Sequence, residues 1–205
     1  MSPSATQLTR LQFLARVVDK EMRHLTQTSG RLFTVPFTLE RVVELETAPE
    51  LAERVDAFVS RFGRLQDTLG DKLLPILLRA LGEKTGAVID NLDRAERLGL
   101  IPSADQWTEI RKLRNQMVHD YVEDPRVLAD ALEAAHGFVS VLTDVASGIR
   151  CELDRRGWLA EDKGLAAESS SEGGSGKRTP GSARAKLSII ADDNEHLDGF
   201  KDDMP

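Results

Sequence analysis

Hydrophobic positions recur every three or four residues through most of the chain. Leu8, Leu11, Leu14, Val18, Met22 and Leu25 draw one stripe, because a 3.6-residue repeat returns such positions to the same face of a helix. Between Arg31 and Pro49 the pattern loosens, with Pro36 and Pro49 as punctuation and Thr38 placed to cap a short helix. A second stripe runs through Leu51, Val55, Phe58, Phe62, Leu65 and Leu69. It continues into Leu73, Leu74, Ile76, Leu77, Leu78 and Leu81, which are apolar on more than one face. Pro75 is expected to kink or break this long helix, since it lacks the N–H of the helical ladder. Val88, Ile89, Leu92, Ala95 and Leu98 predict a shorter helix stopped by Gly99. Ser103 caps the next, which carries Trp107, Ile110, Leu113 and Met117. Asp124 and Pro125 form an N-cap and first-turn pair that opens a last helix from Val127 to Leu153. No strand-like alternation competes. Residues 1–159 are therefore expected to form an all-α bundle of four to five helices.

Composition changes sharply near residue 160. The stretch from Lys163 to Gly181 is rich in Gly and Ser without apolar period, the composition of flexible coil. Residues 160–205 read as a linker and a disordered acidic tail, with 6 basic against 10 acidic side chains. Around Leu187–Phe200 lies the one apolar patch there that suits folding on a partner. The 205 residues carry 27 Lys+Arg and 34 Asp+Glu, a formal charge of −7. That balance argues against bulk nucleic-acid binding through phosphates, although it leaves room for a local basic site. No apolar run reaches the length of a membrane span, and MSPSATQLTRLQF lacks the layout of a secretory signal. The single cysteine, Cys151, excludes an internal disulfide framework, and the expected compartment is the cytoplasm.

One stretch concentrates chemistry. Between Arg111 and Pro125 the chain reads RKLRNQMVHDYVEDP, placing Arg114, Asn115, His119, Asp120 and Tyr121 within eight positions. On a continuing helix Asn115 and His119 stand one turn apart, and Arg114 and Tyr121 are nearly eclipsed. His119 is of the type that exchanges protons near neutral pH. Arg114 offers a planar fork matched to phosphate oxygens, and Asn115 can orient a substrate or the imidazole. The set suits cleavage of an RNA phosphodiester without a metal: the 2′-OH is deprotonated and the charge developing at phosphorus is neutralised. DNA lacks that hydroxyl and is not expected as a substrate. Against this stands the plainer reading of a His, an Arg and a Tyr as surface or capping groups at a helix end.

Arg114-Asn115-Gln116-Met117-Val118-His119-Asp120-Tyr121 resembles the R-x4-6-H-x-Y motif of HEPN domains, with Asn directly after Arg. The flanking LGDKLLPILLRALGE, DNLDRAERLGLIPSADQW and EDP resemble the HepT branch of that superfamily, and the likeness covers roughly residues 50–150. The resemblance implies an all-α homodimer whose two motifs share a composite cleft. It implies Arg114 and His119 as catalytic in RNA cleavage, with Asn115 as a polar supporter. HepT proteins are toxins paired with a minimal nucleotidyltransferase antitoxin of the MNT type, which transfers AMP to the motif tyrosine, here Tyr121. A bulky anionic nucleotide there would block the cleft and repel RNA. The acidic tail and residues 31–49 depart from a plain HepT.

Two other readings compete. In one, the bundle is a non-catalytic partner or substrate-binding subunit of a nucleotidyltransferase. In the other it is structural and the motif coincidental. No cofactor is expected, and no metal either, because His24, His119, His136 and His196 lie on separate segments and Cys151 has no neighbouring ligand pair. Arg64 and Asp67 read first as a solvated helix face and, as the alternative, as a basic and acidic supplement facing the motif; Arg155-Arg156 read as cations complementing a helix end, and Trp107 and Phe138 as packing.

Overall fold

The computed structural model describes residues 3–119 and 124–159. Among these the chain is helical throughout and has no strand. Helix α1 (Ala5–Leu32) begins at a capping box, in which the Ser4 hydroxyl accepts from the Gln7 N–H and the Gln7 side chain accepts from the Ser4 N–H. A short α2 (Leu39–Val43) follows, capped by Thr38 as its position predicts. A single 3₁₀ turn, Glu44–Glu46, leads into α3 (Pro49–Asp67). Helices α4 (Leu74–Ala80), α5 (Val88–Arg97), α6 (Ala104–His119) and α7 (Pro125–Arg155) complete the bundle. Ser103 caps α6 through its hydroxyl on the Gln106 N–H at 3.2 Å, and Asp124 caps α7 on the Arg126 N–H at 2.9 Å.

Helix α1 packs on α3 and α7, α6 on α7 and α3, and α5 bridges α4 and α6. The core between them is built from Phe58, Phe62, Trp107, Leu132, Leu142 and their neighbours, all essentially inaccessible. Each such side chain contributes about 1.5–3 kcal/mol by leaving water, so the apolar stripes hold the bundle more firmly than helix propensity does. Residues 31–49 join this core through Phe37 and Val42. Phe33 stacks on His136 at 4.1 Å, and the His136 Nδ1 lies 2.8 Å from the Ser29 hydroxyl. The extra connection is thereby fixed to α7.

Pro75 does not break the long helix. Thr68–Leu73 forms a π-helical turn, and Pro75 falls in the first turn of α4 behind it, where a missing donor costs little. This explains the doubled apolar faces seen in the sequence. Leu65, Leu69, Leu73 and Leu77 are all buried and succeed one another at four-residue steps. Such steps walk by about 40° each around an α-helix, and a wider turn cancels the drift. On α5 the expected stripe is only half used: Leu92 and Ala95 are buried, whereas Val88, Ile89 and Leu98 face solvent. Gly99 ends the helix at a positive φ of 68°.

Candidate functional site

Where α6 crosses α3 and the Thr68–Leu73 turn, two glycines leave room for its side chains. A Cβ on Gly63 would lie 3.3 Å from both Cγ and Nε of Arg114. A Cβ on Gly70 would lie 2.7 Å from Nε1 of Trp107. Gly63 and Gly70 are seven residues apart, as are Trp107 and Arg114, so the contacts repeat every two turns along an antiparallel seam. Trp107 locks the seam from within the core, at 2 % exposure. Arg114 crosses it to the surface.

A cleft of about 350 Å³ opens beside this seam, lined by Gln66, Asp67, Asp71, Lys72, Arg111, Arg114 and Asn115. Arg114 is held at two points. Its Nη2 donates to Asp67 Oδ2 at 3.2 Å and its Nη1 to Asn115 Oδ1 at 3.1 Å. Arg111 donates to Asp71 Oδ1 at 2.9 Å. A guanidinium has five N–H donors, and the two bonds on Arg114 leave the others for an incoming anion. The pairing fixes the direction of the guanidinium without exhausting it. In the cleft wall, Gln66 is completely buried with both amide atoms unpartnered among the described residues. An unsatisfied buried group costs about 1–3 kcal/mol, so Gln66 weighs against the stability of this wall.

The structure thus brings Arg114 and Asn115 together. Helix α6 continues without interruption from them to His119, its last residue; the His119 side chain and Tyr121 lie outside the described residues, as does Asp120. For Asp67 the preferred sequence reading gives way to the alternative. Instead of standing only on a solvated helix face, it meets the motif as the ion-pair partner of Arg114. Arg64 is exposed, on the other flank of α3 in a second pocket. Arg155 and Arg156 both grip Glu152, and these two guanidinium groups hold its carboxyl pKa down to about 2. Trp107 is core, as its spacing predicts, and Phe138 packs partly buried against the core.

No protein-family model, curated protein or solved structure matches this chain. Function is therefore read from the residues and their geometry. Sequence reasoning missed Asp71 and Gln66 and gave Asp67 only as a second choice; all three lie some 40 to 50 positions upstream of Arg114 and carry no local pattern of their own. The detectable signal was Gly63 and Gly70, one heptad apart inside a strongly helical stripe.

Proposed function

We propose that this protein is a HEPN-type, metal-independent endoribonuclease, a toxin of the HepT class that acts in the cytoplasm as a homodimer with a composite Arg/His site. The observation that carries the reading is the tethered Arg114: a guanidinium aimed into a polar cleft, with Asn115 beside it and His119 further along the same helix. In the proposed reaction His119 takes the proton of the 2′-OH. The 2′-oxygen forms a bond to phosphorus, and the bond from phosphorus to the 5′-oxygen breaks. The departing oxygen receives the proton, leaving a 2′,3′-cyclic phosphate and a 5′-hydroxyl. Arg114 neutralises the charge that builds on the non-bridging oxygens, and Asn115 holds Arg114 and substrate in register. Control comes from an MNT-type nucleotidyltransferase antitoxin that AMPylates Tyr121, two residues beyond His119. The added nucleotide fills the cleft mouth and repels the RNA backbone.

The test compares wild type with Arg114→Ala and His119→Ala, both for growth arrest without a partner and for cleavage of tRNA and mRNA in EDTA. Wild type is expected to arrest growth and to leave cyclic-phosphate ends, with both variants silent. A wild-type protein whose Tyr121 peptide has its unmodified mass, and which leaves RNA intact, refutes the ribonuclease. That outcome supports the non-catalytic nucleotidyltransferase partner instead.

A further inference from the structure

Charge on this acidic protein is segregated. Helix α1 carries five Arg and Lys against two acids. At 100° per residue, Arg16, Lys20, Arg23, His24 and Arg31 fall within an arc of about 100°, and Asp19 and Glu21 lie outside it. All five are exposed. The stripe extends about 22 Å along the helix, at 1.5 Å per residue. Alongside it, α3 contributes Arg61 and Arg64, and a pocket of about 400 Å³ between the two helices is lined by Lys20, His24, Arg61 and Arg64 with Val17 and Glu21. Among the described residues, none of the Arg and Lys side chains of this stripe and pocket lies within ion-pair distance of a carboxylate. That sets them apart from Arg111 and Arg114, which are already paired.

The pocket adjoins the cleft of the candidate site. Glu21, on its floor, is within electrostatic reach of Arg64 and also of Asp67 and Lys72, which line the cleft between α3 and α6. Beyond the pocket, α3 leads from Arg64 to the cleft, where Asp71 and Asp67 pair with Arg111 and Arg114 and Lys72 stands in no ion pair among the described residues. A row of unpaired cations repels itself, and only a polyanion relieves all of it at once. His24 is the one aromatic ring lining the pocket, beside three Lys and Arg side chains, so the lining offers more to phosphates than to stacked bases.

We propose that the α1–α3 stripe is the track for the RNA strand flanking the scissile phosphate, holding its backbone phosphates without reading its bases. The proposal rests on the ribonuclease reading for the identity of the polyanion. The track supplies affinity and direction, and sequence or site preference has to come from elsewhere. The acidic balance of the whole chain keeps this grip local.

The experiment uses the full chain carrying His119→Ala, so that RNA stays whole, and a fluorescent single-stranded RNA followed by anisotropy across a salt series. Removing one phosphate-binding cation lowers the slope of log affinity against log salt by about 0.7 for a single strand. Replacing three exposed cations together, Arg16→Gln, Lys20→Gln and Arg64→Gln, is expected to reduce the slope by about 2. Arg97→Gln, on α5, removes a charge off the track and is expected to keep the parent slope. An unchanged slope in the triple variant overturns the track. So does a triple variant that binds RNA like its parent but no longer binds an acidic peptide with the sequence of residues 188–205, since that assigns the stripe to protein. Cleavage by the chain with His119 intact is scored separately. A track-dependent slope without cleavage refutes the ribonuclease and keeps the track, and cleavage with an unaltered slope does the reverse.

Discussion

Placing a methyl group on each of the two seam glycines should separate stability from site geometry. At Gly70 the new carbon would lie 2.7, 3.1 and 3.2 Å from three atoms of the Trp107 indole. That ring is rigid and 2 % exposed, with core on its other side, so it cannot swing away. Overpacking of this kind costs about 1–3 kcal/mol, and the gain in helix propensity returns at most about 1 kcal/mol. The net loss in Gly70→Ala is thus up to about 2 kcal/mol, a Tm lower by several degrees at about 2–4 °C per kcal/mol for a chain of this size. At Gly63 the contacts are 3.3 Å, and they fall on the flexible arm of Arg114. The arm can yield by a few tenths of an ångström, so Gly63→Ala should match or exceed the wild-type stability, by up to about 1 kcal/mol, with a Tm no lower than wild type. Its cost should appear at the cleft, because the arm that yields is the one held by Asp67 and Asn115. Thermal melts of both variants by circular dichroism, with RNA cleavage measured beside them, check this. A Gly70→Ala protein as stable as wild type, or a Gly63→Ala protein destabilised as much as Gly70→Ala, refutes the reasoning.

Other outcomes follow from single features. Gly30, Gly137 and Gly148 are exposed within long helices, and an added Cβ at each meets nothing within 4 Å. Each change to Ala should stabilise by about 0.5–1 kcal/mol, additively in urea titrations because the sites are well separated. Asp67→Ala should cost no more than about 1 kcal/mol, since its pair with Arg114 is about one-third exposed at each side chain. The same change should lower the cleavage rate through the released guanidinium. Burial pushes the Glu21 carboxyl up from its ordinary 4.5, against the opposing pull of the Thr68 hydroxyl, Arg64 and Lys72. Between the ordinary value and the raised one the folded state binds more proton than the unfolded state, so stability falls as pH rises through that window. Glu21→Gln should flatten that fall, which urea midpoints measured from acidic to neutral pH would show. Phe58→Ala, in the inaccessible centre, should cost about 3–5 kcal/mol.

Most of the fold could be read from spacing, because apolar period and capping chemistry are local. Thr38, Ser103 and Asp124 cap the helices they were expected to cap, and Trp107, Ile110 and Leu113 bury the face their spacing drew. The failures occurred where a second element decides. Nothing near Pro75 in the sequence shows that a π turn will absorb it, since that depends on what Leu69, Leu73 and Leu77 must reach. Val88 and Ile89 satisfy a helical period but are only half covered among the described residues. Arg114 and Asn115 were legible as chemistry, being adjacent. Their counterpart Asp67 could be read only as one of two alternatives, because a carboxylate on a polar face looks the same whether it meets water or a guanidinium 47 positions away. Only packing distinguishes the two.

The π turn at Thr68–Leu73 also constrains how this chain can vary. It works as a phase shifter. Upstream of it, one side of α3 gives Gly63 and Asp67 to the α6 seam; downstream, α4 turns Leu74, Leu77 and Leu78 into the core. A uniform α-helix of the same composition could not serve both, since a change of one residue in length rotates everything beyond it by about 100°. Deleting one residue from this turn would leave the composition nearly intact and every helical propensity satisfied. It would nonetheless set the site half of the helix and the core half out of step. The length of the turn is therefore under tighter constraint than the identity of Lys72, its one exposed residue besides Asp71. Insertions and deletions, which surface loops of this protein can absorb, are least tolerated where the helix looks most continuous.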